Sequence, residues 1–507
     1  MSKLRLNLMA SFAGRGWASI LQLALVPVYL HLLGVASYAL IGFYTVLYSV
    51  VVRLDVGLST TLNRELARMR AATSGGDPKA ARSLLRTLEI VYVGVAVAVG
   101  IGVALSAPFL SRHWLRDSTL GEASVRQAVM VMGLVVAVQW PVSLYEGGLR
   151  GLERQVLLNI VNGVAATIRG LGAVFVLMFV SRTIVAYFIW QAIAIGLQVA
   201  ALSIATWHCM PAFANRSRFQ WAELRRIGRF TLGIGGISVL SLALTQSDKI
   251  LLSHLLPLDR FGYYMVASNI AGGLLIVASP LFEAVFPRLS ALYADGDSDA
   301  LRRTYHAAIQ LSSMLVLPIA AILVGFSSGV ALLWLRDPIA ASRTHLLIAL
   351  LAVGTTANVL MTVPFALQLA GGWTSLSLYK NLIALAVAIP LLIVGVSKWG
   401  EVGGAITWIV VNVGYLVFEL PYMHRRLLPG ALRAVYLTDI GRPLVSVALA
   451  LWAAAFITRA TSSGSGASVA AGFVVATLAA LIASPLGRSQ LEAFFAARRR
   501  IAVTSPP

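Results

Sequence analysis

Apolar residues along this chain fall in long runs, and the polar positions between them are short and mostly basic. A helix needs roughly 20 apolar residues to cross a hydrocarbon core about 30 Å thick. Fourteen runs have about that length, near 7–32, 36–60, 88–110, 124–148, 156–180, 183–208, 230–252, 260–286, 308–333, 342–368, 377–397, 401–423, 443–458 and 467–486. The pattern predicts an all-α integral membrane protein with about 14 transmembrane helices. Prolines inside the runs, such as Pro141, Pro318 and Pro364, are compatible with this, because neighbouring helices re-satisfy the freed backbone groups. No segment between runs reaches the roughly 50 residues of a small soluble domain.

The charges then set an orientation. With the N-terminus inside, the cytoplasmic segments carry most of the basic residues. Examples are Arg64, Arg68, Lys79 and Arg86, then Arg216 to Arg229, then Arg498 to Arg500 in the tail. The opposite side has single residues such as Arg112, Arg182 and Lys398. This asymmetry follows the positive-inside rule and puts both termini in the cytoplasm. It also explains the net charge of +20 without nucleic acid. Only 12% of residues are charged, about half the usual share in soluble domains. The lone Cys209 rules out an internal disulfide and a thiolate metal cluster, and no metal-binding or phosphate-loop motif occurs. No metal and no cofactor is expected.

The two halves echo each other. His31–Tyr38 (HLLGVASY) corresponds to His254–Phe261 (HLLPLDRF). A basic segment with Gly76-Asp77 and Arg86-Thr87 corresponds to one with Gly296-Asp297 and Arg303-Thr304. Pro141 with Asn159 corresponds to Pro364 with Asn381. The order of these echoes predicts two six-helix lobes, 1–208 and 230–423, joined by a cytoplasmic linker, 209–229. A second linker with the last helix pair follows over 424–486, and then a basic tail, 487–507. An even number of spans separates the repeats, so they share one topology.

Ionisable residues inside runs are costly, about 2.5–3.5 kcal/mol each at mid-membrane, so each is a candidate for function. Arg15 lies about 12 Å into the first run at 1.5 Å per residue, and Arg169 is central in the fifth. A guanidinium binds oxygen pairs bidentately, which suits a phosphate. Arg15, Arg169 and Lys249 are therefore candidates for a cationic cavity that takes an anionic substrate. Arg53, Asp55, Glu146, Asp248, Glu283 and Glu419 sit near run ends and are candidates for a gate or for ion coupling. The bland reading of Glu146, Glu283 and Glu419 is interfacial charge facing arginines such as Arg64, Arg150 and Arg288. Gln139, Gln191, Asn162, Asn358 and Asn412 read as hydrogen-bonding glue between helices.

Several stretches carry a family resemblance: Leu33–Tyr38 (LGVASY), Leu54–Ser59 (LDVGLS), Leu144–Val156 (LYEGGLRGLERQV) with Asn159, Gln246–Lys249 (QSDK) and Phe286–Ser290 (FPRLS) with Gly296-Asp297. In this order they resemble the polysaccharide-exporter branch of the multidrug/oligosaccharidyl-lipid/polysaccharide flippase superfamily, and most of all Wzx-type O-antigen flippases. The resemblance implies two lobes around a V-shaped cavity, and a polyprenyl-pyrophosphate-linked glycan carried from the inner to the outer leaflet by alternating access. It implies that Arg15 and Arg169 face the pyrophosphate or acidic sugars, helped by Lys249. Membrane lipids surround the chain, and a polysaccharide polymerase and chain-length regulator are implied partners. Family members often use an H+ or Na+ gradient, and no residue here identifies the ion. The alternatives are a lipid II flippase, which shares the fourteen-span plan, and a membrane polysaccharide polymerase or ligase. Those enzymes typically use a large outer loop, and the outer loops here are short.

Overall fold

The computed structural model describes residues 3–55, 57–71, 78–115, 120–210, 246–461 and 465–489. The described residues form helices and their connections, with no strand among them. Among the described residues, twelve helical stretches are long and apolar enough to cross a membrane, and Val469–Ala483 is a shorter apolar helix. The chain is an all-α integral membrane protein. Twelve of the fourteen expected runs match these stretches, the last run is the shorter helix, and most of 230–252 lies outside the described residues.

Two compact units divide the chain, Met1–Gly262 and Tyr263–Pro507. The first contains α1 (Lys3–Leu33), α2 (Val35–Val52), α3 (Leu58–Ala71), α4 (Pro78–Phe109), α5 (Glu122–Gln139), α6 (Val142–Gly151), α7 (Gln155–Phe179), α8 (Ile184–Cys209) and α9 (246–255). The main pairings are α1 on α7, α4 on α5, α7 on α8, α5 on α8 and α3 on α6. The outward face of α4 shows how the membrane shapes the packing. Ile90, Val93, Val97, Ile101 and Leu105 recur every three or four residues and are 46–76% exposed. Leu84, Leu85, Leu88 and Tyr92, on the other side, are buried. An apolar stripe left uncovered at helical spacing is a lipid-facing surface.

The second expected run, 36–60, is not one helix. It stops at Val52, passes through a 3₁₀ turn at Arg53–Asp55 and restarts as α3. The reason is local. The Asp55 carboxylate accepts hydrogen bonds from the Ser59 N–H at 3.2 Å and from the Ser59 hydroxyl, capping the new helix. Tyr92 of α4 donates to the same carboxylate and ties the break to the bundle.

α10 (Leu258–Gly272) runs across the division between units. The second unit continues with α11 (Ala278–Ala294), α12 (Ser298–Gly325), α13 (Ser327–Leu335), α14 (Pro338–Leu360), α15 (Thr362–Ala370), α16 (Thr374–Trp399) and α17 (Glu401–Gly414). It ends with α18 (Leu420–Leu427), α19 (Leu432–Ala434), α20 (Arg442–Thr461) and α21 (Ser465–Ala483). Asp337 starts α14 by accepting from the N–H groups of Ile339 and Ala340 at 2.8 and 3.1 Å, with Pro338 at the first helical position. Single turns of π-helix occupy Tyr415–Glu419 and Val435–Gly441. The core of this unit includes Leu289, Tyr305, Ile309, Val363, Leu367, Leu420 and Met423.

Close crossings need glycine. A Cβ built on Gly147 of α6 would lie 2.4 Å from the Ser59 carbonyl oxygen, and one on Gly403 of α17 would lie 2.1 Å from the Gly395 carbonyl oxygen. Both obstacles are backbone, so a side chain can enter only by moving a helix. Gly147→Ala is expected to destabilise the protein by about 1–3 kcal/mol, the usual cost of overpacking. Thermal melting in detergent checks this; an unchanged midpoint would contradict the crossing.

Candidate functional site

Arg169 lies on α7, half-buried, where the run pattern placed it. Its Nε donates to the Gln191 side-chain oxygen of α8 at 3.0 Å. Gln191 returns a hydrogen bond to the Arg169 carbonyl at 3.4 Å. Tyr29, Tyr44, Tyr48 and Tyr187 lie in the same region of the unit. These tyrosines come from α1, α2 and α8 and form one aromatic patch. The Tyr29 and Tyr187 rings are 5.3 Å apart, and Tyr44 stacks on Tyr48 at 6.3 Å. Tyr44 donates to Gln139 of α5, and Tyr29 donates to the Gly170 carbonyl at 3.0 Å. Among the described residues, no carboxylate lies within ion-pair distance of Arg169. The result is a positive charge inside a membrane span, held by an amide near an aromatic patch, with no carboxylate partner among the described residues. Such an arrangement favours an oxyanion that brings its own charge.

The other expected residues divide. Arg15 lies on α1, and its side chain is outside the described residues. Lys249 lies 3.9 Å from the Asp248 carboxylate, so its charge is already balanced by its neighbour. Arg53 and Asp55 share the turn between α2 and α3; Asp55 is occupied as a cap, and Arg53 forms no ion pair among the described residues. Glu146 binds Arg150 at 2.6 Å, one of the arginines expected to face it. Its other oxygen accepts from Asn162 at 2.7 Å, and Asn162 accepts from Gln198 at 3.0 Å, so the network joins α6, α7 and α8. Glu283 is exposed on α11 and accepts from Ser279 at 3.3 Å.

Glu419 differs from these because it is buried, 6% exposed. One oxygen accepts from Lys380 of α16 at 2.6 Å and from Gln368 of α15. The Lys380 ammonium also lies over the Tyr415 ring at 4.9 Å. The second Glu419 oxygen has no hydrogen-bond partner among the described residues. The amide glue is as expected for Asn358, which donates to Asn412 at 2.7 Å.

Three polar centres were not anticipated. Lys380 is one. Glu89 on α4 is another: it pairs with Arg86 at 3.0 Å and accepts from Tyr145 at 3.0 Å and Trp207 at 2.7 Å. The third is Asp439, 1% exposed in a π-helical turn, bound by His306 at 2.5 Å and Gln310 at 2.7 Å. The signal for the last two was in the repeat. Arg86-Thr87 is followed by Glu89 at the offset where Arg303-Thr304 is followed by His306. No group of three or more His, Cys, Asp or Glu side chains is placed to hold a metal among the described residues.

With this geometry in place, comparison with known proteins identifies the family. The family model described as "Polysaccharide biosynthesis protein" matches residues 5–293. The chain belongs to that family. It is 22% identical over 375 residues to the "Putative O-antigen transporter" of Shigella flexneri, covering 72% of this chain and 85% of that protein. Its fold is similar to that of the lipid II flippase MurJ in an inward closed conformation, with a TM-score of 0.71 at 14% identity over 94% of this chain and 98% of that one. It is also similar to an inward-facing multidrug transporter of the MATE family, with a TM-score of 0.63 at 16% identity over 83% and 96% of the two chains. The fold is of the kind seen in these two transporters, as the family resemblance implied.

The buried Lys380–Glu419 pair makes a direct test of the packing. Glu419→Leu alone strands an ammonium and is expected to cost about 3–5 kcal/mol. The double variant Lys380→Met, Glu419→Leu removes both charges and should recover most of that loss. Thermal melting of both variants checks this; equal losses in single and double variants would show that the two groups are not paired.

Proposed function

We propose that the protein is a flippase that moves polyprenyl-pyrophosphate-linked oligosaccharide units from the inner to the outer leaflet of a bacterial cytoplasmic membrane by alternating access. The observation that carries this reading is Arg169, a cation inside a span without a carboxylate partner among the described residues, in a chain of a polysaccharide biosynthesis family. An ion pair would make such an arginine structural; one with its charge open is suited to an anionic head group. The tyrosine hydroxyls around it offer further hydrogen bonds to phosphate or sugar oxygens. Arg15 would face the same head group from α1. Lys249, balanced by Asp248, would contribute less.

The lipid tail can stay in the bilayer during transfer, so only the head group needs a polar path. Glu146 with Arg150 and Glu419 with Lys380 are candidate gate or coupling groups, one charged pair in each unit. The two halves would work as repeated lobes, 1–208 and 230–423, with both termini in the cytoplasm. A polysaccharide polymerase acting on the outer leaflet would consume the product.

The test is made in a deletion strain whose intact spheroplasts are treated with a membrane-impermeant glycosidase. Lipid-linked glycans are then measured by mass spectrometry. Finished repeat units that accumulate and resist digestion are expected, because they are trapped on the inner leaflet. Accumulated units that are digested have already crossed, and would mean a polymerase or ligase instead. Accumulated lipid II in place of oligosaccharide units would reassign the substrate.

A further inference from the structure

Unit two contains an open groove between α16 and the α17–α18 stretch, with a cavity volume of about 660 Å³. Its long part is apolar: Ile383 and Val387 come from α16, and Val410 and Phe418 from the facing stretch. All four are exposed, from 44 to 75%. Its end is polar and aromatic, formed by Trp373, Tyr422 and Arg426. Trp373 immediately precedes α16, and Arg426 is the penultimate residue of the apolar stretch Glu401–Leu427. These antiparallel elements therefore bring the polar end of the groove to an end of both spans, where aromatic and basic residues meet the head-group layer.

The charge at that end is unbalanced. Lys380 also lines the groove, but Glu419 neutralises it at 2.6 Å. Arg426 lies 4.4 Å from the centre of the Trp373 ring and is exposed. It has no carboxylate or hydrogen-bond partner among the described residues. Trp373 and Tyr422 pack together at 5.5 Å, which holds the ring that supports the guanidinium.

The dimensions select the occupant. Val387 is fourteen positions after Trp373, about 21 Å along the helix at 1.5 Å per residue. That is the head-group layer plus about one leaflet of a hydrocarbon core roughly 30 Å thick. A long polyprenyl chain would overrun it, and free phosphate would leave the apolar part unused. We propose that this groove binds one phospholipid of the surrounding leaflet, with its phosphate on Arg426 and one acyl chain along Ile383, Val387 and Val410. This site does not depend on the flippase reading. Arg426 supplies a charge-assisted bond and Trp373 holds it in place, while the apolar wall makes the tail necessary.

Gly414 provides a clean blocking variant. It lines the groove, and a Cβ built there meets nothing within 4 Å. Gly414→Leu would fill the apolar part without a backbone clash and leave Arg426 in place. The full chain is purified in detergent and titrated with phosphatidylglycerol, with bound lipid counted by native mass spectrometry. Wild type is expected to retain one tightly bound lipid. Arg426→Ala should weaken retention about tenfold or more, the loss of one charge-assisted bond. Gly414→Leu should weaken it comparably, and thermal melting verifies that both variants are folded. Undiminished retention in both variants would overturn the proposal. So would displacement of phosphatidylglycerol by inorganic phosphate, or clear preference for a polyprenyl phosphate.

Discussion

Everything in this structure depends on the absence of water from the hydrocarbon core. A polar group in a membrane span must find its partner within the protein, because lipid offers none. The buried amides and carboxylates among the described residues do so across helices. Gln139 meets Tyr44, Asn358 meets Asn412, and Asp439 is held by His306 and Gln310. Glu89 gathers three partners from α4, α6 and α8. These bonds fix which helices are neighbours, a task that apolar surfaces alone do poorly in lipid, where leucine has no preference for protein over acyl chain.

The same constraint separates structural charge from functional charge. Glu146, Lys249, Lys380 and Glu419 each have an opposite charge within 4 Å. Arg169 has the Gln191 amide, and no carboxylate partner among the described residues. Keeping such a cation there is costly, and recognition of an anion, as proposed, would offset that cost. The proposed reading takes that anion from the chemistry of polysaccharide assembly.

Helical class and twelve of the fourteen expected spans were legible in the sequence, because run length is set by membrane thickness and survives any detail of packing. Arg169 was legible for the same reason: a charge at the centre of an apolar run stands out. The break after Val52 was not, since Asp55 reads as an interfacial charge until Ser59 and Tyr92 are seen to converge on it. Glu419 was legible but its partner Lys380 was not, because spacing along the chain does not give the distance between two spans. Glu89 was missed because a carboxylate three residues after Arg86 looks like an ordinary surface pair. Its burial comes from Tyr145 and Trp207, far along the chain. Burial separated Glu419 from Glu283, which the sequence had grouped together: one is enclosed and the other exposed.

The most direct measurement is transfer of a fluorescent polyprenyl-pyrophosphate-linked oligosaccharide across proteoliposomes containing the purified protein. Wild type, Arg169→Lys and Arg169→Ala would be compared at equal reconstitution. The account predicts transfer by wild type and a loss of about tenfold or more in Arg169→Ala, as expected when one charge-assisted contact to the head group is removed. It also predicts partial recovery in Arg169→Lys, which keeps the charge without the bidentate fork. Equal transfer by wild type and a folded Arg169→Ala variant would contradict the central role given to this arginine.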